Sequence, residues 1–188
     1  MIRFHNKKGI RVLAIAESFK KQDKKSILAG VVMRRDFVVD GFIYGYVTVG
    51  GNDSTDIVLS MVQQLGRNDI NCILLGGLII SLFNIINGKF INEMTKIPVI
   101  GISYKKSMGL KDSIYGNDEE QKIHEYMRLD ERKPLTLWTG KTVFVRHWGI
   151  NFSDASKLIN SLVLQGSKPE PLRIAALAAR AHRNFVER

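Results

Sequence analysis

The stretch Arg11 to Phe19, RVLAIAESF, constrains the fold more than any other part of the chain. Val12 to Ala16 is an unbroken run of small or branched apolar residues, the pattern of a strand buried on both faces, and it ends abruptly in the carboxylate of Glu17. An ionised carboxylate at the mouth of a central strand is costly to desolvate. Glu17 is therefore either solvated at the end of the sheet or paired with a metal ion or a base.

The segments that follow extend this strand into a sheet. Lys20 to Ser26 is a charged turn, Ile27 to Val39 reads as a second strand, and Asp40-Gly41 is a two-residue hairpin signal before a third strand, Phe42 to Val49. These three strands form an antiparallel meander, and Asp40 belongs to the turn rather than to any chemistry. In VGGNDSTD the paired glycines Gly50 and Gly51 allow positive φ and close approach, and Asp53 or Ser54 caps a helix whose apolar face is Ile57, Val58, Met61, Val62 and Leu65. An acidic first turn is also what a helix dipole favours, so capping competes with a metal role for Asp53 and Asp56.

Ile70 to Leu75 is a second fully apolar strand, parallel to its partner through a right-handed crossover and closed by Gly76-Gly77. A helix between about Asn84 and Met94 leads to a third buried strand, Pro98 to Tyr104, with Lys105, Lys106 and Ser107 at its end. Beyond it come a helix around Glu119 to Leu129, and a hairpin of Leu135 to Trp138 and Thr142 to Arg146. A helix capped by Ser153 and a final helix from about Pro171 complete the chain. TGKT is not a phosphate loop, because the earlier glycine is missing and a strand follows it. Arg173, Arg180 and Arg183 recur on roughly one face of the last helix, as a solvated surface or as a nucleic-acid contact.

With 188 residues the chain is expected to form one domain, residues 1–188. Lysine and arginine total 28 against 18 acids, a formal charge of +10. That excess favours a polyanionic partner, nucleic acid ahead of a membrane, since no basic amphipathic helix with bulky apolar residues stands out. The single cysteine, Cys72, lies in an apolar run and reads as a reduced core residue, which suggests the cytoplasm. The N-terminus has no apolar signal core, and the longest apolar stretch, Cys72 to Ile86, is too short to span a bilayer.

Three antiparallel strands, a helix, a strand, a helix and a strand is the succession of the ribonuclease H-like α/β fold, a mixed sheet flanked by helices. In that fold, strand-end carboxylates gather at one edge of the sheet. Two or more of them bind Mg2+ or Mn2+, which activates water and stabilises charge on an attacked phosphodiester. Glu17 and Asp53 are the acids this topology brings together.

RVLAIAESF, AGVVMRRD, DGFIYGYVTVGGNDSTD, PVIGISYKKSMGL, VFVRHWGI and GSKPEPLRIA together resemble the archaeal, endonuclease V-related family called endonuclease dU. The resemblance covers essentially the whole chain. It implies an endonuclease V-like domain and metal-dependent cutting of DNA at or near deaminated bases, notably deoxyuridine, in DNA repair. On the residues, it implies that Glu17 replaces the relatives' first-strand aspartate, that Asp53 takes the place of their glutamate after the third strand with Asp56 in reserve, and that their fourth-strand aspartate falls at Gly76. It further implies a catalytic His147, and phosphate neutralisation by Lys105 or Lys106; Arg146 and Arg173 are candidate nucleic-acid contacts. The amides of Gly50 and Gly51 are candidates to approach a flipped base. A site short of one carboxylate would bind metal weakly, so two alternatives stand beside the nuclease: a catalytically weak or inactive nucleic-acid-binding protein on the same fold, and a nuclease directed at RNA.

Overall fold

The computed structural model describes residues 9–105 and 119–186. Its elements in chain order are β1 (Arg11–Ser18), β2 (Lys25–Arg34), β3 (Val39–Thr48), α1 (Ser54–Leu65), β4 (Ile70–Leu75), β5 (Ile79–Ile80), β6 (Asn84–Ile85), α2 (Gly88–Thr95) and β7 (Val99–Ser103). They continue with α3 (Glu119–Met127), β8 (Lys133–Thr136), β9 (Thr142–Trp148), α4 (Phe152–Ser161) and α5 (Glu170–Val186).

Seven strands form one mixed sheet in the order β3-β2-β1-β4-β7-β9-β8, and β5 and β6 form a separate two-stranded ribbon. β1 pairs antiparallel with β2 and parallel with β4, β4 pairs parallel with β7, and β9 runs antiparallel to β7. This is the ribonuclease H-like arrangement that the succession of elements predicts, and the C-terminal hairpin β8–β9 simply extends the sheet.

The unbroken apolar run of β1 follows from its central place. Leu13 and Ile15 join Leu28, Val58, Met61, Ile73, Leu75 and Ile91 in a core beneath α1 and α2. Val12 and Ala14 face the other way, into a core with Leu74, Ile100, Val145, Leu158, Ile159, Leu172 and Ala175 beneath α4 and α5. A strand covered on both faces has no position at which a polar residue is cheap until it leaves the sheet. By strand alternation Glu17 belongs to the α1/α2 face, opposite Leu28 of β2.

Several local expectations are corrected. The β2–β3 turn lies earlier than Asp40-Gly41: the Arg34 amide donates to Val38 O, the Phe37 amide donates to Arg34 O, and Phe37 takes φ 67°. Asp40 is instead the extra residue of a bulge, since Gly41 pairs with Val32 and Val39 with Met33. Its carboxylate accepts from Arg11 Nε at 2.6 Å and lies 3.6 Å from Arg67 Nη2, which ties the starts of β1 and β3 to the end of α1. The helix expected from Asn84 begins at Gly88, and Asn84 itself sits in β6. The cap of α4 is Asn151 rather than Ser153, its side chain accepting from the Asp154 amide at 2.8 Å.

The start of α2 depends on a glycine. A Cβ at Gly88 would lie 2.2 Å from the Trp148 ring of β9, a contact no flexible side chain can relieve. The first turn of α2 thus lies flush on the sheet. Gly88→Ala is expected to destabilise the protein by about 1–3 kcal/mol through overpacking, read as a lower urea midpoint at unchanged slope.

Candidate active site

β1, β4 and β7 are parallel, so their carboxyl ends share one edge of the sheet. Ile15 pairs with Leu75, and Leu75 with Gly101, which puts Glu17 just beyond the last paired residues of its parallel neighbour. β3 runs in the same direction as β1, through its antiparallel pairing with β2, and Asp53 follows its end.

Glu17 is tied to the turn that joins β5 to β6. Its Oε2 accepts from Ser81 Oγ at 2.6 Å, from the Ser81 amide at 3.0 Å and from Ser26 Oγ at 3.2 Å. All of these donors are neutral. Burial raises the pKa of Glu17, and the hydrogen bonds from Ser81 and Ser26 only partly offset it.

Asp53 makes no side-chain cap to its own helix. Its carboxylate turns back instead, accepting from Thr48 Oγ1 at 2.7 Å, from the Thr48 amide at 3.0 Å and from Asn84 Nδ2 at 2.7 Å, with Lys25 Nζ at 3.9 Å. Burial works against the charged form, but the bonds from Thr48 and Asn84 outweigh it and hold the pKa below the ordinary aspartate value. Asn84 is fully buried and performs the capping that Asp53 forgoes, its Oδ1 accepting from the Ser54 amide at 3.0 Å. The two carboxylates are thus held by one turn, Glu17 through Ser81 and Asp53 through Asn84.

That turn has an uncommon backbone. Ser81, Leu82 and Phe83 all take positive φ, at 44°, 56° and 67°. Left-handed backbone costs a non-glycine residue roughly 1–2 kcal/mol, so three in succession persist only where their surroundings over-determine them. Here the Ser81 amide and hydroxyl bind Glu17, its carbonyl accepts from the Gly50 amide at 2.7 Å, and Asn84 closes the far side.

The remaining candidates fall in different places. Asp56 is exposed on the first turn of α1 and lines a separate cavity of about 290 Å³ with Asn52, Asn87, Phe90, Glu125 and Arg128. His147 is not brought to Glu17. It pairs with Ile100 of β7, on the α4/α5 face of the sheet, where its Nδ1 meets Ile150 O at 2.7 Å and its ring packs near Phe152. The amides of Gly50 and Gly51 serve the fold, donating to Ser81 O and Thr48 O, while Gly50 O accepts from Lys122 Nζ at 2.6 Å. Arg173 pairs with Glu170 at the start of α5, and Lys106 lies outside the described residues. A Cβ at Gly76 would meet Ala16 and Leu172 at 3.6 and 3.5 Å, on the α5 face and away from Glu17.

Lys105 and Arg146 do come together. With Arg132, Tyr126, Ser103 and Gly77 to Ile79, they line a cavity of about 390 Å³ whose wall ends two residues before Ser81. Among the described residues none that lines it is acidic. Arg146 is only 8% exposed and donates to the backbone carbonyl of Asp130; burial first, and then the charge of Arg132, lowers its pKa. Arg132 in turn lies near Lys105 O and over the Phe144 ring. Cations held by carbonyls and aromatic faces keep their charge available to an anion.

Ser26, Thr48, Ser81, Asn84, Lys122 and Arg132 are the site residues that sequence reasoning missed. Ser81 and Asn84 sit inside the apolar stretch Cys72 to Ile86, Asn84 at the expected start of a helix, and no sequence signal marks three left-handed residues without a glycine. Among the described residues no group of three or more His, Cys, Asp or Glu side chains is placed to hold a metal ion, and no helix is long and apolar enough to cross a membrane.

Comparison with known proteins places this site in a wider setting. A UPF0215 protein of Pyrobaculum calidifontis is 33% identical over 94% of this chain and 98% of its own length. A solved structure from Archaeoglobus fulgidus, described as a protein of unknown function, superimposes with a TM-score of 0.81 at 29% identity, covering 92% of this chain and 98% of that one. Endonuclease V of Ciona intestinalis, solved in complex with a DNA containing an inosine followed by a ribo-adenosine, shares the fold with a TM-score of 0.64 at 13% identity, over 95% of this chain and 87% of that one. The pattern of the family described as endonuclease dU matches residues 8–183, and the chain belongs to that family.

Proposed function

We propose that this protein is a metal-dependent endonuclease that hydrolyses phosphodiester bonds in DNA at or near deaminated bases such as deoxyuridine, in the manner of DNA repair. The observation that carries the reading is the pair Glu17 and Asp53, two carboxylates on different strands fastened to one turn at the carboxyl edge of the parallel strands. Family membership and the Ciona endonuclease V bound to DNA support the same reading.

The donor set fits a hard divalent cation. Glu17 and Asp53 offer carboxylate oxygen, with the Ser81 hydroxyl beside the first and the Thr48 hydroxyl beside the second, and Mg2+ and Mn2+ prefer oxygen ligands. Glu17 in particular is a buried carboxylate whose hydrogen-bond partners among the described residues are all neutral, a charge that a cation would compensate. A bound divalent ion would supply Lewis-acid activation of water and of the scissile phosphate. The chain's own residues do the rest. Ser81 and Asn84 fix the two carboxylates relative to each other, and the cavity of Lys105, Arg132 and Arg146 offers positive charge to a phosphate next to the cut. With two carboxylates rather than three, Glu17 and Asp53 would hold a divalent ion more weakly.

The runner-up, binding without cutting, draws on the missing third acid among the described residues. Nicking of a labelled duplex with one deoxyuridine separates the two. Magnesium- or manganese-dependent nicking is expected for the wild type, absent on undamaged DNA and reduced to background in Glu17→Ala; Ser81→Ala, which loosens a metal ligand without removing it, should lose about 10–100-fold. DNA bound but never nicked would establish the runner-up. Gly76→Asp should neither raise the nicking rate nor lower the metal concentration needed, because position 76 faces Leu172 rather than Glu17; a clear gain would show that the third ligand belongs there.

A thermal measurement tests the Glu17 environment independently of turnover. The folded pKa of Glu17 is raised, so its contribution to stability is fully present below the unfolded value of 4.5 and is lost as pH rises through the folded value. Metal-free Glu17→Gln should therefore melt above wild type at pH 7, the gap closing near pH 4. Added Mn2+ should raise the melting temperature of wild type more than that of the variant.

A further inference from the structure

β3 is an edge strand whose two faces differ sharply. Ile43 and Val47 turn toward α1, and Gly45 lets α1 approach so closely that a Cβ there would meet Ile57 and Met61 at 2.8 Å. The alternate positions are aromatic and open: Phe42 is 50% exposed, Tyr44 38% and Tyr46 46%. Strand geometry spaces them about 7 Å apart on one face. That face is the one α5 covers over β1 and β2, where Ala179 packs on Ile27 and Ala29, but α5 stops short of β3. Its His182 meets the flank of the ladder, stacked on Tyr44 with centroids 4.4 Å apart and within 2.6 Å of Tyr46 Oη. Tyr44 and Tyr46 are thus ordered before any ligand arrives.

We propose that Phe42, Tyr44 and Tyr46 form a stacking platform for unpaired bases of single-stranded DNA, a surface separate from the two carboxylates but leading to them. The inference rests on the reading of the protein as a DNA-handling enzyme and adds where an unpaired strand lies. Three observations select this occupant. The first is charge: β2 contains no acid, the one acid of β3, Asp40, is paired with Arg11, and the one acid in Glu170–Val186 is paired with Arg173, whereas the same elements also carry Lys25 and Arg180. The second is chemistry. Flat rings with exposed faces take any base by its π-face, and only unpaired bases present one. The third is continuity, since the alternation that sets the ladder ends in Thr48, whose amide and hydroxyl hold Asp53, and Lys25 stands beside them at 2.9 Å from Thr48 Oγ1. An unpaired strand lying on the ladder is aimed at the site.

The test measures binding without divalent metal, so that no strand is cut. A fluorescein-labelled oligodeoxythymidine and a blunt duplex are titrated with wild type, with Phe42→Leu/Tyr44→Leu, and with Phe42→Tyr/Tyr44→Phe. The leucine pair is expected to lose about tenfold or more in single-strand affinity while duplex affinity stays within about twofold, and the aromatic pair is expected to bind as wild type. Unchanged single-strand affinity in the leucine pair overturns the platform, as does an equal loss on both ligands. Sedimentation of the same proteins is the remaining arm: a wild-type dimer that becomes monomeric in the leucine pair would assign the face to a second copy of the chain and overturn the platform too. If wild type nicks the deoxyuridine duplex yet ignores the single strand, the platform alone falls. If it neither binds nor nicks either DNA, the nuclease reading falls with it.

Discussion

The contact between Glu17 and Ser81 is the one on which the site depends. A carboxylate buried among neutral donors is stabilised only by how many hydrogen bonds reach it, and Ser81 supplies both its amide and its hydroxyl. Those bonds also hold the first of three successive left-handed residues, a backbone that local preference opposes. The two costs are met by the same contacts. The carbonyl of Ser81 is held in turn by the Gly50 amide, and Asn84 at the end of the turn reaches Asp53, so the turn fixes both carboxylates at once. A site built this way holds its two acids in fixed relation to each other through one turn.

The location of the turn follows from the sheet. With α1 and α2 on one face and α4 and α5 on the other, β1, β4 and β7 have no solvated face, and polar chemistry is confined to their ends. The carboxyl edge is the end from which the chain departs into the β5–β6 ribbon after β4, and α3 and its following residues also reach it. These segments bring Ser81, Asn84, Tyr126 and Arg132 to the edge, residues far apart in sequence that share no pattern within any one element.

That distinction explains what could be read from the chain alone. The strand order, the doubly covered β1 and the placement of Glu17 and Asp53 at one edge all follow from hydrophobic periodicity and from the rules of crossover, which act over short stretches. Asp40 misled because Asp-Gly is a strong local turn signal, and here a tertiary pair of arginines captured the aspartate and turned the signal into a bulge. His147 misled because its position in sequence, beside a strand end, says nothing of which face it takes; pairing with Ile100 sets that. Gly50 takes the expected positive φ and Gly51 the expected close approach, against Thr48, but their amides are claimed by Ser81 O and Thr48 O.

Charge is distributed so that the acids of the site stand apart from most cations rather than cancelling them. Of the positive groups at the edge, Lys25 approaches Asp53, but Lys122 is held by the Gly50 carbonyl, Arg146 by the Asp130 carbonyl, and Arg132 by the face of the Phe144 ring and the Lys105 carbonyl. A carbonyl orients a cation without neutralising it. The result is a rim of positive charge around two carboxylates, in a chain whose formal charge is +10. A polyanion is drawn to the rim over distances of about a Debye length, roughly 10 Å at 0.1 M salt, while the carboxylates repel its phosphates unless a cation lies between them. On this arrangement the rim favours fast and tight holding of a polyanion, and the two acids resist its close approach for as long as their charge stands uncompensated.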